Sequence, residues 1–199
     1  SSCSTRTTHP TFIKRIQEAL YAIGISNSIY NPYRLKSKAD MVIECSQNTS
    51  KKAILESLVD LSCSCAKRGH NVFWDKNGIE IHNAKIKHCS MCLPCLYRRV
   101  ALDTIGLDNE TLLGTDVLHG NKFNLDNRNQ KRNRDFNALL YFLKNRMNES
   151  TIRQELFFNG IIEKNELDEY TSLALHSYFQ VINWLKKKAT NEIQIRAGI

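Results

Sequence analysis

Three cysteines, Cys89, Cys92 and Cys95, recur at three-residue spacing inside the run IKHCSMCLPCLYRR, residues 86–99. Thiols separated by two residues can turn several sulfurs toward one point, which is how tetrahedral zinc sites are built. A tetrahedron needs a fourth donor, and the sequence offers Cys63, Cys65, His70, His82 and His88. His88 is adjacent to Cys89, which makes chelation by both awkward. A site closed by four protein ligands would staple a hairpin to the rest of the chain and do no chemistry itself. Function then lies beside it, and the two arginines that follow, Arg98 and Arg99, are the nearest charged groups in sequence.

The elements that must position these thiols are legible from periodicity. Pro10 suits the first residue of a helix carrying Phe12, Ile13, Ile16, Leu20 and Ile23 on one side, stopped by Gly24. IGISNSIYNPY reads as a short extended stretch ending at Pro32. Ser37 with Asp40 three residues later forms a capping box for the helix in SKADMVIEC, and Ser50 is the expected cap of the next helix. Residues 71–82 read as a hairpin around Lys76-Asn77-Gly78, with Trp74 in a surface segment. The thiol cluster opens a helix over about 95–105, ended by Gly106. Residues 119–134, Asn-rich and basic, read as a linker or loop. Helices are expected over 135–147, over 151–159 capped by Ser150, and over 166–188.

Composition bounds the class. The chain has 199 residues, 42% of them hydrophobic, with only eight Gly and three Pro, as in a globular protein. No apolar run approaches the roughly 20 residues of a membrane span, and the start SSCSTRTTHP lacks the apolar core of a secretory signal. Seven cysteines without such a signal point to the reducing cytoplasm, where clustered thiols are metal ligands rather than disulfides. Cys3 and Cys45 stand alone and read as structural thiols. The net charge of +8 suits an anionic partner, nucleic acid included, but charge alone does not choose one.

Four stretches in order, THPTFIKRIQEAL, NPYRLKSKADMV, LSC at 61–63 and CSMCLPCLYRR, resemble one family. This is the 7-cyano-7-deazaguanine synthases, often called QueC, of the adenine-nucleotide α-hydrolase or PP-loop ATP pyrophosphatase fold. The form His-Cys-x-x-Cys-x-Pro-Cys-x-x-Arg-Arg resembles a defence branch, the QueC-like protein of Qat anti-phage systems. The likeness covers roughly residues 1–107. Thr8-His9 stands where the family has Cys-Arg, and Ser90 stands where it has Gly. The family's Ser-Gly-Gly-x-Asp-Ser nucleotide loop is not among the 199 residues.

The resemblance implies an α/β fold of which this chain is the C-terminal part, mostly helical, with a zinc-stapled hairpin and a helical C-terminal extension. Its expected divisions are residues 1–118, a linker at 119–134 and the extension at 135–199. It implies a structural zinc on Cys63, Cys89, Cys92 and Cys95, and ATP with Mg in a longer parent chain that begins with the nucleotide loop. The implied reaction activates a 7-deazapurine carboxylate by adenylation and forms an amide or nitrile, with Lys38 and Arg98 as catalytic cations and His9 on the substrate. Arg99 is expected to point elsewhere, since adjacent helical residues diverge. Without the loop this chain alone should be inactive. The implied partners are the ATP-binding half and other defence proteins. The competing readings are a non-catalytic zinc-stapled module that docks a defence partner, and a nucleic-acid binder that uses the basic run Lys131-Arg132-Asn133-Arg134.

Overall fold

The computed structural model describes residues 9–66, 71–75, 79–119, 134–161 and 163–199. In order these form α1 (Pro10–Ala22), α2 (Lys38–Gln47), α3 (Thr49–Leu58), a 3-10 turn (Val59–Leu61), β1 (Val72–Trp74), β2 (Glu80–His82), α4 (Leu93–Asp103), a second 3-10 turn (Glu110–Leu112), α5 (Arg134–Asn145), α6 (Glu149–Phe158), α7 (Lys164–Lys188) and α8 (Asn191–Ala197). The architecture is mostly helical, with one two-stranded sheet. Its strands are antiparallel, pairing Val72 with His82, Phe73 with Ile81 and Trp74 with Glu80. The expected turn Lys76-Asn77-Gly78 lies outside the described residues, as does nearly all of the expected linker.

Local chemistry sets the boundaries. Ser37 Oγ accepts from Asp40 N at 3.1 Å while Asp40 Oδ2 accepts from Ser37 N at 2.9 Å, so both halves of the capping box form. The next helix starts earlier than expected, because Asn48 rather than Ser50 accepts the first-turn N–H, from Lys51 at 3.0 Å. The same shift recurs at α6, where Asn148 rather than Ser150 caps through Thr151 N at 2.9 Å. In both cases an Asn two residues upstream competes successfully for the cap. Helix α8, for which the sequence reading made no provision, is closed by Gly198 at φ 76°.

Helix α4 is the hub. It packs against α2, α5 and α7, and it buries Cys95, Leu96, Arg99, Val100, Ala101 and Leu102. One continuous cluster of buried side chains runs from Cys65 and Trp74 through α4 to Phe136, Leu139, Val181, Trp184, Leu185 and Ile193. The C-terminal helices therefore share a core with the cysteine region. Trp74, expected near the surface, is buried in this cluster. Its N–H donates to Gly114 O at 2.7 Å. A Cβ on Gly114 would meet Val72 O at 2.6 Å, so only glycine lets the hairpin approach this closely.

The N-terminal helices are different. α1 and α3 bury no residue, and α2 buries only Ala39. Most of the exposed large apolar side chains lie between Phe12 and Leu61, among them Tyr21, Ile23, Tyr30, Ile54 and Leu61. α2 is held to α7 by polar contacts: His176 Nε2 lies 2.9 Å from Asp40 Oδ1, and Gln180 Nε2 donates to the same oxygen at 2.8 Å.

Burial alone would raise the Asp40 carboxyl, but His176, Ser37 and Gln180 outweigh it and hold the group at about 2, against an ordinary 3.8. A carboxyl depressed by folding stabilises fully above its unfolded value, and that contribution fades as pH falls through the folded one. Urea unfolding of wild type and Asp40→Asn across this range is expected to show a stability gap above pH 3.8 that closes toward about 2. A gap independent of pH would remove Asp40 as its source.

Candidate metal centre

Four cysteines, Cys65, Cys89, Cys92 and Cys95, place their sulfurs within 4.8 Å of one another, and all four are buried. The loop before α4 builds three corners. Ser90 adopts φ 64°, the left-handed region that favours glycine. This turn directs Met91 N and Cys92 N onto Cys89 Sγ, both at 3.4 Å. Cys92 is the N-cap of α4, Pro94 lies in its first turn, and Cys95 follows three residues after the cap. Cys89 Sγ and Cys95 Sγ are 3.9 Å apart. The segment at His88 is clamped to the end of the second 3-10 turn and the residues after it by an isolated bridge, with His88 N donating to Leu112 O at 3.1 Å and Gly114 N to His88 O at 2.7 Å.

The fourth corner is Cys65, which corrects the expected Cys63. Cys63 is exposed, and its sulfur lies 3.7 Å from Lys87 O. The physical reason is the tether just upstream. Ser62 N bonds back to the Leu58 and Val59 carbonyls, both at 3.2 Å. Arg98 Nη1 donates to Ser62 Oγ at 2.7 Å, and Arg98 Nη2 donates to Val59 O. This leaves Cys63 at the rim and carries Cys65 into the core. Spacing does not separate two cysteines two residues apart; the depth of the tether does. Among the other candidates, His82 is exposed on β2 and His70 lies outside the described residues. His88 is buried, yet neither ring nitrogen has a hydrogen-bond partner among the described residues, and it is not a member of the sulfur cluster.

The four thiols condition one another. Hydrogen bonds from Cys89, Cys92 and Cys95 push the Cys65 thiol far down, while Cys95 and Cys89 are pushed far up, first by Cys65. Cys92 is pushed up by Cys65 but pulled down further by Cys89 and Cys95, ending at about 7. Close buried thiols of this kind can hold a metal ion as thiolates, releasing their remaining protons as it binds.

The two arginines of α4 part company. Arg99 is buried, with its Nε on Asp108 Oδ2 at 3.0 Å, Nη2 on Glu110 Oε1 at 2.7 Å and Nη1 on Ser90 Oγ at 3.2 Å. Its guanidinium also lies 5.3 Å from the Trp184 ring centroid. It therefore points away from Arg98, as expected, but it braces the Ser90 turn and is no inert bystander. Arg98 and Lys38 line one cleft of about 190 Å³ together with Ser62 and Ser64. Lys38 also lines a second cleft of about 440 Å³ with Leu93, Pro94, Tyr97 and Gln180. Burial, then Arg98, lowers the Lys38 pKa, and burial lowers that of Arg98. His9 lines neither cleft and instead caps α1, its Nδ1 accepting from Thr11 N at 3.3 Å.

No family model, curated protein or solved structure matches the chain. Among the described residues, no helix is long and apolar enough to cross a membrane.

The fourth ligand is directly testable. Elemental analysis and cobalt absorption of Cys65→Ser are expected to show loss of stoichiometric metal, whereas Cys63→Ser retains it. The reverse pattern would return Cys63 to the site. Arg99→Met should cost about 3 kcal/mol in urea unfolding, because it strands Asp108 in a buried position. A cost near zero would mean that Asp108 is satisfied without it.

Proposed function

We propose that this chain is the zinc-bearing portion of a QueC-like, ATP-dependent C–N ligase of the PP-loop fold, acting in anti-phage defence. The observation that carries the reading is the convergence of Lys38 and Arg98, from two different helices, on one cleft beside the four-cysteine cluster. Three features support it. Ser90 takes a left-handed backbone where the resembled family has Gly. The capping box fixes Lys38 at the first turn of α2. A tetrahedral ion with metal–sulfur bonds of about 2.3 Å needs sulfurs about 3.8 Å apart, which zinc accepts without a preferred d-electron geometry.

In this reading the carboxylate of a 7-deazapurine attacks the α-phosphorus of ATP, forming an acyl adenylate and releasing pyrophosphate. An amine then displaces AMP and leaves an amide. Lys38 and Arg98 stabilise negative charge that develops on the phosphates. The zinc stays outside the reaction and fixes the first turn of α4, from which Arg98 projects. The exposed apolar side chains of α1–α3 are the docking face for the ATP-binding half.

That same apolar face favours a second reading, a non-catalytic zinc-stapled module that docks a defence partner. Pyrophosphate release separates the two. This chain alone should release none from ATP, Mg and a 7-deazapurine carboxylate. Joined to its ATP-binding half it should turn over, and with zinc supplied to saturation Lys38→Ala or Arg98→Ala should each lower turnover about a hundredfold. Full turnover in both variants would remove the cations from the chemistry. A joined protein with no turnover at all would favour the docking module.

A further inference from the structure

Charge balance around the cysteine cluster points to something the catalytic reading does not contain. Four thiolates around one divalent ion leave two net negative charges in a buried place. Uncompensated buried charge is expensive, and proteins offset it with paired groups. Adjacent residues of α4 show the contrast. Arg99 is matched by two carboxylates, Asp108 and Glu110. Arg98 is half-buried and has none within ion-pair distance among the described residues; its guanidinium bonds only to the neutral Val59 O and Ser62 Oγ. Lys38 likewise has neither a side-chain hydrogen bond nor an ion pair among the described residues, although the capping box beside it is complete.

Two cations with no carboxylate at ion-pair distance among the described residues thus line one cleft. Arg98 follows Cys95 by three residues on α4, and with Cys95 and His88 it lines a small enclosed cavity. Lys38 faces the first turn of α4, lining a cleft with Leu93 and Pro94, the residues between Cys92 and Cys95. Burial lowers the pKa of both cations; against it, Cys95 and Cys92 favour the charged form of Lys38, and Asp60 first, then Cys63 and Cys95, favour that of Arg98. Asp60 lines the same cavity as Arg98 but beyond ion-pair distance and accepts from Asn109 Nδ2 at 3.0 Å, and Asp108 is committed to Arg99.

The geometry points to Lys38 and Arg98 as the counter-cations of the metal centre, two positive charges set against the two negative charges of a divalent tetrathiolate. They are positioning residues for the metal, acting through its ligands, and this role rests on the centre assigned above. The net negative charge of the metal-bound tetrathiolate in turn offsets the repulsion between them, so that a cleft holding two like charges becomes stable once the ion is bound. Any anion entering the cleft competes with the thiolates for the same cations.

Competition titration of the full chain with zinc and cobalt at low and high salt tests this. Lys38→Met is the discriminating variant, because it removes charge and breaks no hydrogen bond. Its metal affinity is expected to fall about tenfold at low salt, with Lys38→Arg restoring it. Lys52→Met, at an exposed lysine near Glu56, should match wild type. Arg98→Met should lose more than Lys38→Met, since it also frees the tether before Cys65. Wild-type affinity in Lys38→Met, or a loss that Lys38→Arg does not repair, overturns the counter-cation role while leaving the metal centre intact. A wild-type chain that takes up neither metal overturns the centre itself.

Discussion

The main buried cluster of this structure includes four sulfurs brought from two separated segments to one point. Cys65 arrives from the N-terminal side, and Cys89, Cys92 and Cys95 arrive from the turn into α4. Between them lies the β1–β2 hairpin, so closing the cluster also closes the loop that contains it. The strands are three residues each, too short to hold a register in isolation. Their stability comes from Trp74 in the core and from the backbone bond to Gly114. The cluster and the hairpin are therefore one structural unit.

Helix α4 converts that unit into an organising centre. Its N-cap and first turn carry two of the four cluster cysteines, its middle carries both arginines, and its inner face joins the common core. Successive helical residues point about 100° apart. That divergence is what allows Arg99 to reach Asp108 and Glu110 while Arg98 reaches Val59 and Ser62. Arg99 ties the cysteine loop to the second 3-10 turn, and Arg98 ties α4 to the tether before Cys65. One pair of adjacent residues thus braces both segments that supply the cluster sulfurs.

Much of this was legible where the chemistry is local. The capping box of Ser37 and Asp40, the stop at Gly24, the hairpin strands and three of the four cluster sulfurs follow from spacing alone. What stayed hidden was set by tertiary contacts. Cys63 and Cys65 are indistinguishable in sequence, because the choice is made by Ser62 and Arg98 across 36 residues. Trp74 sits in a short polar-flanked run, and its burial depends on a glycine 40 positions away. The Asn caps were missed for a simpler reason: Ser50 and Ser150 each lie two residues after a competing Asn. α8 is only seven residues long, so periodicity gave it little signal.

The contrast between the two ends of the chain carries a last physical point. The C-terminal helices bury apolar faces against α4 and one another, while α1–α3 expose most of theirs and, beyond the packing of α2 on α4, are tied to the C-terminal helices through polar contacts. The bond from Thr11 Oγ1 to Gly160 O, the Lys14–Glu163 pair and the Asp40–His176–Gln180 cluster are such attachments. Exposed ion pairs contribute little, on the order of 0–1 kcal/mol each. Directional bonds of this kind fix orientation more than they add stability. They hold the first turn of α2, and with it Lys38, at a set place relative to α4. The apolar surface they leave uncovered is then available to a binding partner, without loosening the cluster on which Lys38 and Arg98 both bear.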